Sequence, residues 1–154
     1  MAMTDYFLQI EGLHGREFED PLPLLSWSFG EKNSSGTFLN NGPEAGKLQM
    51  LAFSFTKGID WGSPKLFLAC AEGKHISAAI LTCRTAGGEQ IEFMKVKLSD
   101  VFVSSYESTS GDFPSETVTL SFAKIEYEYK GQKPDGSRGS TVKVEFDVSA
   151  MKTS

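Results

Sequence analysis

Thr141-Val142-Lys143-Val144-Glu145-Phe146-Asp147-Val148 is the stretch that decides the fold. Val142, Val144, Phe146 and Val148 alternate with Thr141, Lys143, Glu145 and Asp147, the period of two demanded by a strand with one buried and one wet face. Working outward, the same period recurs at Tyr6–Ile10, Leu24–Phe29, Leu48–Thr56 and Ile76–Arg84. It directs Leu25, Trp27, Phe29, Leu51, Phe53 and Phe55 inward and Ser26 and Ser28 outward. Gly, Asn, Ser and Pro punctuate these runs, so short strands joined by turns are expected. The expected fold is mainly β, a small antiparallel β-barrel of two curved sheets.

Two longer runs change phase. Met94, Val96 and Leu98 share one face while Val101 and Val103 fall on the other, which predicts a bulge near Ser99-Asp100. Val118, Leu120 and Phe122 are out of phase with Ile125, Tyr127 and Tyr129, which predicts a second near Ala123-Lys124. Such paired bends curve a sheet. One flanking α-helix is expected at about 63–73, with Ser63 as cap, Pro64 at the first helical position and Gly73 as the left-handed stop. Leu66, Phe67 and Cys70 would form its sheet-facing stripe. Ala86-Gly87-Gly88-Glu89 and Pro134-Asp135-Gly136 read as hairpin turns, and Gly30–Gly46 and Ser104–Ser115 as long loops.

The 154 residues carry 15 Lys and Arg against 20 Asp and Glu, a net charge of -5. For this mass roughly 69% of the unfolded surface can be buried, enough for a core without metal or disulfide staples. No basic patch supplies the electrostatic term on which nucleic-acid affinity depends, so no nucleic-acid partner is expected. Met1-Ala2-Met3-Thr4-Asp5 runs directly into alternating sequence, so no signal peptide is expected, and no apolar run reaches the roughly 20 residues of a membrane span. A cytoplasmic site of synthesis and no membrane insertion are therefore expected. Cys70 and Cys83 fall inside regular elements and read as free thiols.

Catalytic chemistry finds no constellation to rest on. His14 lies in a Gly-rich turn, and His75 follows the helix stop, where its expected role is to bond the last helical carbonyls. No paired His or Cys motif, Gly-x-Ser-x-Gly turn or phosphate-cradling Gly-rich loop occurs. Asn33-Ser34-Ser35 matches a glycosylation triplet, a pattern common by chance. Glu11, Glu17, Glu19 and Asp20 near the amino end, and Glu126 and Glu128 on a strand, read as wet-face charge rather than an acid–base pair. Expectations are accordingly no enzyme, no cofactor and no metal.

Read together, several motifs carry a resemblance. These are Leu25-Ser26-Trp27-Ser28-Phe29-Gly30, Phe53-Ser54-Phe55-Thr56-Lys57, and Ser63-Pro64-x-Leu66-x-x-Ala69-Cys70-x-x-Gly73-Lys74-His75. They continue through Leu81-Thr82-x-Arg84-x-Ala86-Gly87-Gly88, Asp100-Val101-x-Val103-Ser104-Ser105, Val118-x-Leu120-x-Phe122-Ala123-x-Ile125 and Tyr129-x-x-Gln132-x-x-Asp135-Gly136. In this order the chain resembles the Hcp family, the tube protein of bacterial type VI secretion systems. Trp61-Gly62 stands where that family usually has small or charged residues, and Thr85 where a Lys commonly follows the Arg.

The resemblance implies one tube domain over 1–154, with an extended loop at 30–46, closing into homohexameric rings that stack inside a contractile sheath below the spike protein VgrG. It implies small effector proteins carried in the ring lumen, and secretion by sheath contraction to the medium or a target cell. The sequence reaches Ser154 shortly after the last strand, so no carboxy-terminal toxin domain is expected. Ser26 and Ser28 are then the expected lumen contacts. Thr37, Phe38, Leu39, Asn40 and Asn41 are the expected stacking residues, because Phe38 and Leu39 would otherwise be apolar side chains on a loop. The alternative is a ligand-carrying β-barrel with an aromatic interior, although side chains usually fill a barrel this small. A third reading, a hydrolase, would need turnover that depends on one polar residue.

Overall fold

A computed structural model describes residues 4–12, 21–34, 47–85, 91–132 and 138–148. Eight strands and one helix follow in the order β1 (Thr4–Ile10), β2 (Leu22–Leu24), β3 (Ser26–Ser34), β4 (Lys47–Gly58), α1 (Ser63–Glu72), β5 (Ile76–Thr85), β6 (Glu92–Thr109), β7 (Ser115–Gln132) and β8 (Arg138–Asp147). All strand pairs are antiparallel. They form one sheet in the order β2-β1-β5-β6-β7-β4-β3, with β8 added to β7. The mainly β fold with a single helix is as expected, and its two curved layers are the two halves of this continuous sheet.

Covalent continuity explains the curl. β2 and β3 lie at opposite ends of the strand order, yet only Leu25 separates them, so the ends of the sheet must meet. They do so through the Leu25 amide, which donates to the Thr56 carbonyl at 2.8 Å, and through the edge-on contact of Tyr6 with Trp27. Leu25 was expected inside; it is exposed because the chain breaks strand conformation there to pass between the ends. Inside the curl Leu8, Phe53, Phe55, Leu81, Val96, Leu98, Val101, Val118 and Leu120 are buried, each from the inward half of an alternating strand. Leu51, also expected inward, is exposed, because the β3–β4 register shifts between Ser28 and Gly30 and the extra residue in β4 turns Leu51 outward while Met50 packs against the core.

Both phase changes are real, but they involve no slip in pairing. Ser99 pairs with Lys124 and Val101 with Phe122, so the extra residue in β6 faces the extra residue in β7. Asp100 absorbs the turn-over with φ 54°, the one non-glycine residue at positive φ among those described. β5 changes phase beside it, since adjacent Ala78 and Ala79 are both buried. Three strands therefore bend together, where separate bulges were expected.

The helix ends at Gly73, with φ 62°, as expected. Its amide and that of Lys74 reach the carbonyls of Cys70 and Ala69. At the start Gly62, rather than Ser63, is the cap, and Ser63 is the first helical residue. The Ser63 hydroxyl instead accepts from the Asp60 amide at 3.0 Å, so it fixes the approach to the helix. Leu66 and Ala69 face the sheet, whereas Phe67 is 59% exposed and leans edge-on against Tyr106. Of the expected stripe, Leu66 is buried and Cys70 packs half-buried against the core, whereas Phe67 turns away and Ala69 takes its place where the helix lies on β6.

Loops were overestimated. Gly30–Ser34 continue β3, Lys47 opens β4, and 35–46 lies outside the described residues. Ser104–Thr109 extend β6 and Ser115 opens β7, which leaves only Ser110–Pro114 to turn between them. The β5–β6 and β7–β8 hairpins form as expected, with 86–90 and 133–137 outside the described residues.

Candidate functional site

Ser26 and Ser28 are exposed on β3, opposite Thr56 and Ser54 of β4. β4 in turn sets Ser54 opposite Thr119 and Thr56 opposite Thr117 of β7, with hydroxyl oxygens 2.9 and 3.3 Å apart. Six hydroxyl side chains thus share one sheet face, directly behind the buried Phe53, Phe55 and Val118. Sequence reading found two of the six. The other four stand as the polar members of Ser54-Phe55-Thr56 and Thr117-Val118-Thr119, where the same alternation could have revealed them. Thr37–Asn41 fall outside the described residues, between Ser34 and Lys47, which pair with one another.

The second feature is an uncovered apolar strip. β4 pairs with the first part of β7, through Leu120, and β8 with the rest, from Lys124. Phe146, Val144 and Val142 lie opposite Ile125, Tyr127 and Tyr129, which lie opposite the buried Leu98, Val96 and Met94. The core face therefore continues outward onto β8. Among the described residues no layer lies over β8, and Val142 and Val144 are 62% and 59% exposed where burial was expected, with Phe146 exposed beside them. Between this strip and β3 runs a groove of about 210 Å³, lined by Phe29, Gly30, Met50, Tyr127, Val144 and Phe146.

On the other face of β6, β7 and β8 the charges are paired. Glu126 holds Lys143 at 2.9 Å and Lys97 at 4.0 Å, and Lys130 meets Glu92 at 3.0 Å and Glu128 at 3.9 Å. The hydrogen bond from Lys143 holds the Glu126 carboxyl below the usual carboxylate range. Glu126 and Glu128 are each matched to a lysine, as wet-face charges. His75 does not bond the helix carbonyls, which Gly73 and Lys74 occupy; its Nε2 lies 2.9 Å from Asp100 Oδ1. His14, Glu17, Glu19 and Asp20 lie outside the described residues.

Burial pushes the Cys83 thiol up to about 11, and Cys70, half-buried on α1, is also free. Among the described residues no three His, Cys, Asp or Glu side chains converge as a metal site would require.

Sequence reading missed a buried ion cluster. Lys57 Nζ lies 2.7 Å from Glu116 Oε2 and 2.8 Å from Asp60 Oδ1, with Lys57 1% and Glu116 0% exposed. Tyr106 donates to the other Glu116 oxygen at 2.6 Å. Burial, then that carboxylate, push the Tyr106 hydroxyl up to about 12. Asp60 Oδ1 also accepts the Gly62 amide, so the cluster ties β4, the start of α1, β6 and β7 into one joint.

The described interior of the curl is packed with apolar side chains, and its core face runs onto β8 as an exposed strip, the kind of surface an assembly subunit presents. Residues 7–129 match the family described as "Type VI secretion system effector, Hcp". The chain belongs to the Hcp family, the secreted structural tube protein of type VI secretion. It is 38% identical to Protein hcp1 of Pseudomonas aeruginosa over 155 aligned residues, covering 94% of this chain and 95% of that protein. The crystal structure of Hcp1 from Salmonella typhimurium superposes with TM-score 0.72 at 32% identity, covering 97% of each chain. A solved type six secretion system protein shares the fold with TM-score 0.83 at 23% identity, covering 96% of this chain and 98% of that one.

Proposed function

We propose that the chain, as one tube domain over 1–154, closes into hexameric rings that stack into the inner tube of a type VI secretion system. The observation that carries this reading is the apolar strip of β7 and β8, continuous with the core. A face of this kind is stabilised when a second copy covers it, and closed symmetric assembly supplies that cover. Thr37–Asn41 act in ring-on-ring stacking. Ser26 and Ser28 face the lumen, where small hydroxyls keep the channel open and offer hydrogen bonds to a small effector; the neighbouring Ser54, Thr56, Thr117 and Thr119 support this by extending the same polar face. VgrG at the tip and the contractile sheath outside are the remaining partners. The rings form in the cytoplasm and leave on firing for the medium or a target cell, and no catalytic step is involved.

Light scattering and secretion assays on the full chain test this. Wild type should form hexamers, and Val144→Lys should remain monomeric and folded. Deleting Thr37–Asn41 should leave rings but abolish tubes and secretion, and Ser28→Gln should lower effector co-purification with intact rings. A monomeric wild type at micromolar concentration would sink the ring reading, and undiminished effector recovery would remove Ser28 from the lumen contacts.

A further inference from the structure

An unexplained apolar surface stands at one end of β4. Trp61 is 83% exposed and Phe113 65%, and Ile59 is also exposed. Ile59, Trp61 and Pro64 line a shallow hollow with Asp60, and Phe113 lies across Gly58, 3.7 Å from where a side chain there would begin. Asp60, the single acid of the hollow, is bound to Lys57 and the Gly62 amide. The outward-facing side chains are therefore mainly apolar, on a segment that the buried Lys57–Glu116–Tyr106 cluster holds in one conformation. Burying that many charges is costly, and here it fixes a short exposed connection. Preorganisation of this kind favours binding by removing the entropy of ordering the contact surface.

Topology says what meets it. The Ser34–Lys47 pair closes the opposite end of the β3–β4 ladder, so residues 35–46 leave from the far end of β4, up to about 36 Å along the strand. That twelve-residue connection can reach at most about 20 Å beyond the strand ends. It carries Phe38 and Leu39. Within one chain the segment and the fixed apolar surface stand at opposite ends of β4, and between copies related head to tail, the relation that generates open filaments, they face each other.

Resting on the stacking reading above, we propose that Ile59, Trp61, Pro64 and Phe113 form the receiving surface for the 35–46 segment of a copy in the next ring. Trp61 is the anchor, a residue type enriched among the few side chains that dominate interface affinity.

The test mixes preassembled rings of Trp61→Cys with preassembled rings of Leu39→Cys under mild oxidation. A cross-linked dimer containing both engineered cysteines, formed in the mixture and by neither variant alone, is expected. Its absence overturns the proposal. Separately, Trp61→Ser with Phe113→Ser should leave rings intact and weaken ring stacking in sedimentation roughly 30-fold or more. If this double variant stacks normally while deletion of Thr37–Asn41 abolishes stacking, the receiving surface is wrong and the loop reading stands. If neither change affects stacking, both readings fall. These side chains are exposed, so the variants leave the core untouched, and the cross-link reads the same contact without truncation.

Discussion

Lys57 lies near the end of β4 with its ammonium between the carboxylates of Glu116 and Asp60, in a place that water does not reach. Removing one partner of such a pair strands the other, so Lys57→Met should cost about 3–5 kcal/mol. Adding Glu116→Leu should cost less than the sum of the two single changes, a coupling that urea unfolding of all three variants measures. Alkaline pH probes the same region. Cys83, raised from 9.0 to about 11, and Tyr106, raised from 10.0 to about 12, both hold their protons longer folded than unfolded. Their contribution is complete below about pH 9 and lost as pH rises through the folded values. The urea midpoint should therefore fall between pH 9 and 12, and Tyr106→Phe with Cys83→Ala should flatten that fall. An unchanged slope in the double variant would remove these two groups as its cause.

Among the elements, α1 shows how local signals work and where they stop. At Gly73, with φ 62°, an added side chain would meet nothing within 4 Å, so only backbone strain opposes it. Gly73→Ala should cost about 1–2 kcal/mol, and Gly73→Asn less, in thermal unfolding. That stop was legible because it depends on one residue's backbone. The buried stripe was legible at Leu66 and Cys70 but not at its third member, because Ala69 rather than Phe67 faces the sheet only through the way the helix lies on β6. Strand phase was legible for the same reason at Phe53, Phe55 and the inversion near Asp100, but not at Leu25 and Leu51, where a break in the strand and a shift in pairing turn the side chain outward. That β5, β6 and β7 bend together was not, since it depends on which strands are neighbours. Of the site residues, Ser26 and Ser28 followed from alternation. Lys57 and Glu116 are far apart in sequence, and only pairing of β4 with β7 brings them together.

At the scale of the whole molecule, the alternation of Val142, Val144 and Phe146 signals burial that the single chain does not deliver. In the proposed ring another copy covers this strip, so folding and ring closure should be thermodynamically linked. Association that engages only the folded chain raises the melting temperature with protein concentration. Wild-type Tm should therefore rise across about 1–100 µM, a range in which a monomeric domain would show a constant value. Val144→Lys places an ammonium in the middle of the strip but touches no buried part of the chain, since Val144 is 59% exposed. Its Tm should match dilute wild type and stay flat with concentration. A wild-type Tm that ignores concentration would mean that the strip is left in water, and the ring would need another surface to close it.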